Sequence, residues 1–203
     1  MQLLLVRHAL PHRSDHGRGA DPELSEIGVE QAARLPAALA RFPLSRLVSS
    51  PQRRSVQTAE PVAAGLGLPI DIDERIIEPT NAFEGTVGRS AFKNPRYWYR
   101  YLNPFRPSWG EPYRSIATRV REAMNDAWDA DREGDIVMVS HQAVVWAAHR
   151  DVNGEPLFHN PAKRRCELSS ITSFERRGGR WFEVDYRTPA AGLMQGSVDV
   201  GAV

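Results

Sequence analysis

The chain has 203 residues, 41% of them hydrophobic and 25% charged, the balance of an ordinary globular protein with core enough to need no covalent staples. Lys+Arg 26 against Asp+Glu 25 leaves a formal charge of +1, which gives no reason to expect a nucleic acid or a membrane surface as partner. The single cysteine, Cys166, excludes an intramolecular disulfide and any multi-cysteine metal site, and makes a reducing, cytoplasmic compartment the expectation.

The opening apolar run is too short for a signal segment or for the ~20 residues of a membrane span. Leu3 to Val6 instead predicts a strand buried on both faces, with Arg7 and His8 at its C-terminal end. Ser25 reads as the cap of a helix in which Ile27, Gly28, Ala32, Leu35, Leu39 and Phe42 keep a helical period to about Arg41. A second strand, Leu44 to Ser49, follows at once. Ser50 and Pro51 read as the cap and first residue of a helix that carries Arg53, Arg54, Gln57 and Thr58 towards Leu66 and ends at Gly65 and Gly67. Pro69 to Ile72 predicts a short strand, and Ile136 to Val139 a β-branched strand ending in Ser140 and His141. Ala117 to Ala130 and Val144 to His149 are helical by period. Ser170 to Phe174 and Trp181 to Tyr186, separated by a run containing Arg-Arg-Gly-Gly-Arg, predict an antiparallel hairpin. The tail from Thr188 shows no period and reads as irregular. Strands alternating with helices predict one α/β domain over residues 1–203.

Open α/β sheets bind ligands at the carboxyl ends of their strands, and two strands here end in a histidine beside a polar partner, Arg7-His8 and Ser140-His141. One such histidine is more often structural, but two of them, with Arg54 near a helix N-terminus that already favours anions, describe a phosphate pocket. Of the basic residues only Lys93 and Lys163 are lysines. Arginine suits bidentate binding of phosphate, although an arginine-rich coding bias looks the same. His8, His12 and His16 have a metal-ligand spacing for a helix, yet Pro11 breaks such a helix, so no metal site is expected. Residues 86 to 110 hold five basic and no acidic residues and seven of the 17 aromatics, a mixture that can stack single-stranded nucleic acid, attract small anions, or simply fill space against the core. Cys166 has no base motif beside it and reads as a small buried hydrophobe.

Five blocks in order resemble the histidine phosphatase superfamily, also called phosphoglycerate mutase-like, over roughly residues 2 to 175. They are Leu-Leu-Val-Arg-His-Ala ending at Ala9; Leu24-Ser25-Glu26-Ile27-Gly28 with Gln31-Ala32; Ser49-Ser50-Pro51-Gln52-Arg53-Arg54-Ser55-Val56-Gln57-Thr58-Ala59; Arg75-Ile76-Ile77-Glu78 before Phe83-Glu84-Gly85; and Val139-Ser140-His141. Blocks in correct order and spacing are far more specific than any one of them. The resemblance implies a three-layer α/β/α sandwich with a mostly parallel central sheet and a helical lid inserted at about residues 86–118. It implies that His8 attacks phosphorus to form a phosphohistidine, that Arg7, Arg54 and a protonated or donor His141 bind the phosphoryl oxygens, and that Glu78 is the general acid, with Glu74 and Glu84 as alternatives. The neighbouring cations are expected to hold the His8 pKa below its usual value.

In the same reading Arg96 and Arg100 belong to the substrate lid, no metal or other cofactor is needed, and the partner is a small anionic phosphorylated metabolite rather than nucleic acid or membrane. Family members often dimerise, so a homodimer stays open. The function implied is a phosphomonoester hydrolase, with a phosphoglycerate-type mutase and a catalytically silent phospholigand-binding protein as alternatives. The chain departs from the family pattern at Ala9, at Ser14, where an asparagine often contacts phosphate, at Asn81, and at Gln142, which replaces a glycine after His141.

Overall fold

Strand β1 (Leu3–Arg7) is buried along its whole length, Leu3 and Leu5 in one apolar cluster and Leu4 and Val6 in another. Strand β4 (Asp135–Ser140) divides in the same way, Ile136 and Met138 to the first cluster and Val137 and Val139 to the second. Since side chains alternate along a strand, a strand that feeds two cores lies in a sheet covered on both faces. This geometry comes from a computed structural model that describes residues 1–12, 21–79, 110–128, 133–160 and 163–194.

The sheet has six strands in the order β3-β2-β4-β1-β5-β6, with β2 at Leu44–Ser49, β3 at Ile70–Ile72, β5 at Ile171–Arg177 and β6 at Arg180–Arg187. The first four in that order are parallel to their neighbours, while β5 is antiparallel to β1 and β6 to β5. Helices α2 (Leu35–Leu39) and α3 (Arg53–Leu66) cover one face; α4 (Tyr113–Ala127) and α5 (Gln142–Val152) cover the other. The three-layer, mostly parallel architecture is the one expected. Among the described residues no helix is long and apolar enough to cross a membrane.

Several boundaries differ from the sequence expectation. The helix expected from Ser25 to about Arg41 is two, α1 (Glu26–Ala33) and α2, because Pro36 at the start of α2 has no N–H to continue the ladder. Ser25 does cap α1, its Oγ accepting from the Gly28 N–H at 3.1 Å. Helix α3 starts at Arg53 with Gln52 as its cap, two residues beyond the Ser50-Pro51 start. The Ser50 N–H instead donates to the Val139 carbonyl at 3.0 Å, so Ser50 extends the sheet and its hydroxyl is available elsewhere. Gly67 ends α3 in the left-handed region, at φ 66°.

Helix α4 begins at Tyr113, four residues before Ala117, and ends at Ala127. Tyr113, Ile116 and Ala117 are core residues, so residues 113–118 belong to a core helix rather than to the lid in which they were expected. Residues 80–109, with Glu84, Arg96 and Arg100, lie outside the described residues, as does Ser14. Helix α5 extends beyond the expected Val144 to His149 at both ends. The hairpin strands run up to a two-residue turn, Gly178 and Gly179 at φ 56° and 77°, the backbone that a tight hairpin turn of matching twist requires. Among the described residues from Thr188 onward there is one short 3-10 turn, Ala191–Met194.

The segment after His8 is held by the block around α1 and by Thr58 of α3. Leu10 N–H donates to Gln31 Oε1 at 2.9 Å, Ser25 N–H and Oγ both donate to the Leu10 carbonyl at 3.0 Å, and Ala9 N–H donates to Thr58 Oγ1 at 3.0 Å. Gly28 makes this approach possible: a Cβ there would lie 2.0 Å from the Leu10 oxygen. Because a backbone carbonyl cannot swing aside as a side chain does, Gly28→Ala is expected to cost about 1–3 kcal/mol. For a chain of this size that corresponds to a Tm lower by roughly 3–10 °C, with turnover reduced because the displaced segment begins at Ala9. An unchanged Tm in calorimetry would show that α1 and the Leu10 segment part without cost.

Candidate active site

The site lies where β1 and β4 end side by side. Their register puts Arg7 opposite Ser140, and the His8 N–H continues the ladder by donating to the Ser140 carbonyl at 2.8 Å. His8 and His141 therefore sit as lateral neighbours, their ring centroids 5.1 Å apart. Arg7 is buried, its Nη1 donating to the Cys166 carbonyl at 2.7 Å. Arg54 stands in the first turn of α3, as expected, and is mostly buried; its Nη2 donates to Gln52 Oε1 at 2.9 Å.

The two imidazoles are fixed differently. His8 Nδ1 lies 2.7 Å from the Ala9 carbonyl; a carbonyl only accepts, so Nδ1 carries the proton and the lone pair of the neutral ring is on Nε2. His141 Nε2 meets the hydroxyls of Ser50 at 2.7 Å and Ser55 at 3.3 Å, while Nδ1 faces Glu78 Oε2 at 3.4 Å. Burial, and after it the neighbouring His8 imidazole and the charges of Arg54, Arg7 and Arg119, holds the His141 pKa well below the usual histidine value. Of the two expected forms of His141, the protonated one is therefore disfavoured in the free site, and the neutral donor form stands.

Glu78 reaches this place on a tethered loop. The 3-10 turn Glu74–Ile76 is tied to the sheet end by Ser140 Oγ, which donates to the Ile76 carbonyl at 2.7 Å, and to α4 by Arg119, which donates to the Arg75 carbonyl. The Glu78 side chain is 12% exposed and accepts from the Ala143 N–H at the start of α5. Desolvation raises its pKa, and the opposing pull of Arg54, Arg164, Arg7 and that N–H does not cancel the rise. Oε1 of Glu78 and Nδ1 of His141 are buried with no hydrogen-bond partner among the described residues, a polar gap suited to an oxygen-rich ligand. Glu74 is exposed, which leaves Glu78 as the carboxyl of that turn that enters the site.

Arg7, His8, Arg54, Glu78 and His141 are thus brought together. Other residues of the site escaped the sequence reading. Ser50 and Ser55 hold His141; only the two-residue shift of the α3 start, which no local signal marks, turns Ser50 inward. Asp21 accepts from the Arg53 N–H at 3.1 and 2.9 Å and lies 3.6 Å from Arg54, capping α3 from a distant segment. Arg164 was one arginine among many. Two departures from the family pattern also find a physical place: the Ala9 methyl packs in a small cluster with Leu24 and Ala32, and the Gln142 side chain accepts from Arg164. Cys166 is buried as expected, its thiol pushed up to about 11 by desolvation. No group of three or more His, Cys, Asp or Glu side chains placed to hold a metal occurs among the described residues.

Comparison with known proteins agrees with this arrangement. An uncharacterized protein of Mycobacterium tuberculosis is 39% identical over 196 residues, covering 94% of this chain and 97% of that protein. Phosphoserine phosphatase 1 of Hydrogenobacter thermophilus is 31% identical over 157 residues, 73% of this chain and 74% of that one. The same fold occurs in the crystal structure of a phosphoserine phosphatase mutant from Entamoeba histolytica in complex with phosphoserine, with a TM-score of 0.76 at 20% identity over 93% of this chain and 97% of that chain. A family profile described as histidine phosphatase superfamily (branch 1) matches residues 3–188. Since that match spans the sheet from β1 to β6 and all five residues gathered at its end, the chain belongs to the histidine phosphatase superfamily.

Proposed function

We propose that the protein is a phosphomonoester hydrolase that works through a phosphohistidine on His8 and acts on a small phosphorylated metabolite. The observation that carries this reading is the His8 ring: its Nδ1 faces the Ala9 carbonyl, which puts the lone pair of the neutral ring on Nε2, and the ring lies 5.1 Å from that of His141. Nε2 attacks phosphorus in line and the bond from phosphorus to the alcohol oxygen breaks. The leaving oxygen takes the proton of the Glu78 carboxyl, which desolvation keeps available. Arg7, Arg54 and the Nδ1–H of neutral His141 hold the equatorial oxygens, where preorganised donors lower the barrier more than covalent assistance does. Water then attacks the phosphohistidine, Glu78 recovers its proton from that water, the N–P bond breaks and inorganic phosphate leaves. The relatives named as phosphoserine phosphatases support hydrolysis of a small substrate. In the same proposal the cationic segment with Arg96 and Arg100 is the substrate lid and the site works without a metal, the guanidiniums supplying the charge neutralisation.

Release of inorganic phosphate from an aryl phosphate, followed by a panel of phosphorylated metabolites and a coupled assay of phosphoglycerate interconversion, tests it. Phosphate release without interconversion is the expected result. Interconversion faster than release makes the protein a mutase, and tight phosphate binding without release makes it a binding protein.

A further inference from the structure

Arg164 has no place in the phosphoryl-transfer steps above, yet it is built into the site. Its Nη1 donates to Gln142 Oε1 at 3.2 Å, and its Nε donates to His159 Nε2 at 2.9 Å. Gln142 follows His141 and opens α5, and the next residue, Ala143, gives its N–H to Glu78. Arg164 and Glu78 thus share one helix start, and the charge of Arg164 is felt at the Glu78 carboxyl that faces the leaving alcohol in the proposed reaction.

The support under this guanidinium is rigid and uncharged. His159 donates from Nδ1 to the Leu157 carbonyl at 2.7 Å, which leaves Nε2 as an acceptor, and its ring packs against Tyr113 and Trp146 at centroid distances of 4.9 and 6.0 Å. Burial, with the charges of Arg164 and Arg150, lowers its pKa to about 4, so the ring is neutral at any ordinary pH. Several surface arginines meet acids: Arg41 pairs with Asp185, Arg46 with Asp71, Arg121 with Asp151 and Arg165 with Glu183. Arg164 instead rests on an imidazole and an amide, and among the described residues no carboxylate lies within ion-pair distance of it. A guanidinium oriented by neutral acceptors keeps its full charge, and an end-on fork presents parallel donors that match a planar carboxylate.

We propose that Arg164 is a specificity-determining residue that receives a carboxylate on the alcohol half of the substrate, so that the preferred substrates are phosphomonoesters of hydroxy acids. This rests on the phosphomonoester reading of the pocket. Glycerol 3-phosphate and 3-phosphoglycerate differ in having a hydroxymethyl group or a carboxylate at the same end, and so isolate the contact.

The experiment measures binding of both compounds to the H8A variant, which cannot be phosphorylated at that residue, and kcat/KM for both in the otherwise unchanged enzyme. Binding of 3-phosphoglycerate at least tenfold tighter than glycerol 3-phosphate is expected, with the preference reduced by about 10- to 100-fold on adding R164Q. The kcat/KM ratio should fall by a similar factor in R164Q alone. Should R164Q fail to fold, R164K, which keeps the charge and loses the fork, is expected to give a smaller loss in the same direction. Equal binding of the two compounds before any change at Arg164, or equal losses for both on its replacement, overturns the proposal. Absence of phosphate release from every phosphomonoester is a separate result that removes the hydrolase reading while the binding comparison still decides the role of Arg164.

Discussion

Replacing His8 with alanine is expected to abolish turnover and to remove a trapped phosphoenzyme that is acid-labile and base-stable, the stability pattern of a phosphoramidate. The argument begins in the sheet. His8 prolongs the β1–β4 ladder through its N–H, so its backbone is fixed by the most buried pair of strands. Its ring is then locked by the Ala9 carbonyl into the tautomer with the lone pair on Nε2. His141 is held differently, its Nε2 engaged by Ser50 and Ser55. His141→Ala should accordingly slow formation of the phosphoenzyme without relocating it. Quenched labelling followed by peptide mapping checks both statements. Label on any residue other than His8, or substantial turnover in His8→Ala, sinks the mechanism.

Glu78→Gln should depress turnover by about 10²–10⁴ for an alkyl phosphate and far less for an aryl phosphate, because an activated phenolate needs little protonation to leave. The acid must be protonated at the moment of bond breaking, and the raised pKa of Glu78 extends that form to higher pH. Turnover of the alkyl substrate therefore falls as pH rises through the raised value, and the variant loses this limb of the profile. Stability moves with the same sign. A carboxyl whose folded pKa exceeds its unfolded one contributes fully at low pH and loses that contribution as pH rises through the folded value, so Glu78→Gln should gain Tm over the parent at neutral pH and not at acidic pH. Equal rate losses for both leaving groups would assign the proton to another residue.

Much of this was legible in the sequence, for stated reasons. Apolar runs that stop at a charged residue marked β1 and β4, because a strand buried on both faces has no polar alternation to blur it. The site residues attached to those strand ends, Arg7, His8 and His141, came with them. Glu78 was harder, since it lies on a loop with Glu74 and Glu84 near it in sequence; what selects it over Glu74 is exposure, a tertiary property. Helix starts were misjudged where a side chain had a competing partner: Ser50 has the composition of a cap, but its backbone joins the sheet and its hydroxyl serves His141. Pro36 lies inside the helix expected after Ser25, where the apolar period runs across it while its missing N–H divides the helix in two. Asp21 and Arg164 depend on contacts made 32 and 22 residues away and leave no local trace.

The adjacency of β1 and β4 gives the molecule two levels of permanence. The histidines hang from neighbouring central strands, whose opening requires loss of the whole fold, whereas Glu78 and Arg164 hang from connections whose local opening is cheaper. Warming such a protein loosens its proton donor and Arg164 before it loosens the paired histidines. Over generations the same asymmetry lets a lineage exchange one metabolite for another by altering connections alone, while the nucleophile is inherited with the framework.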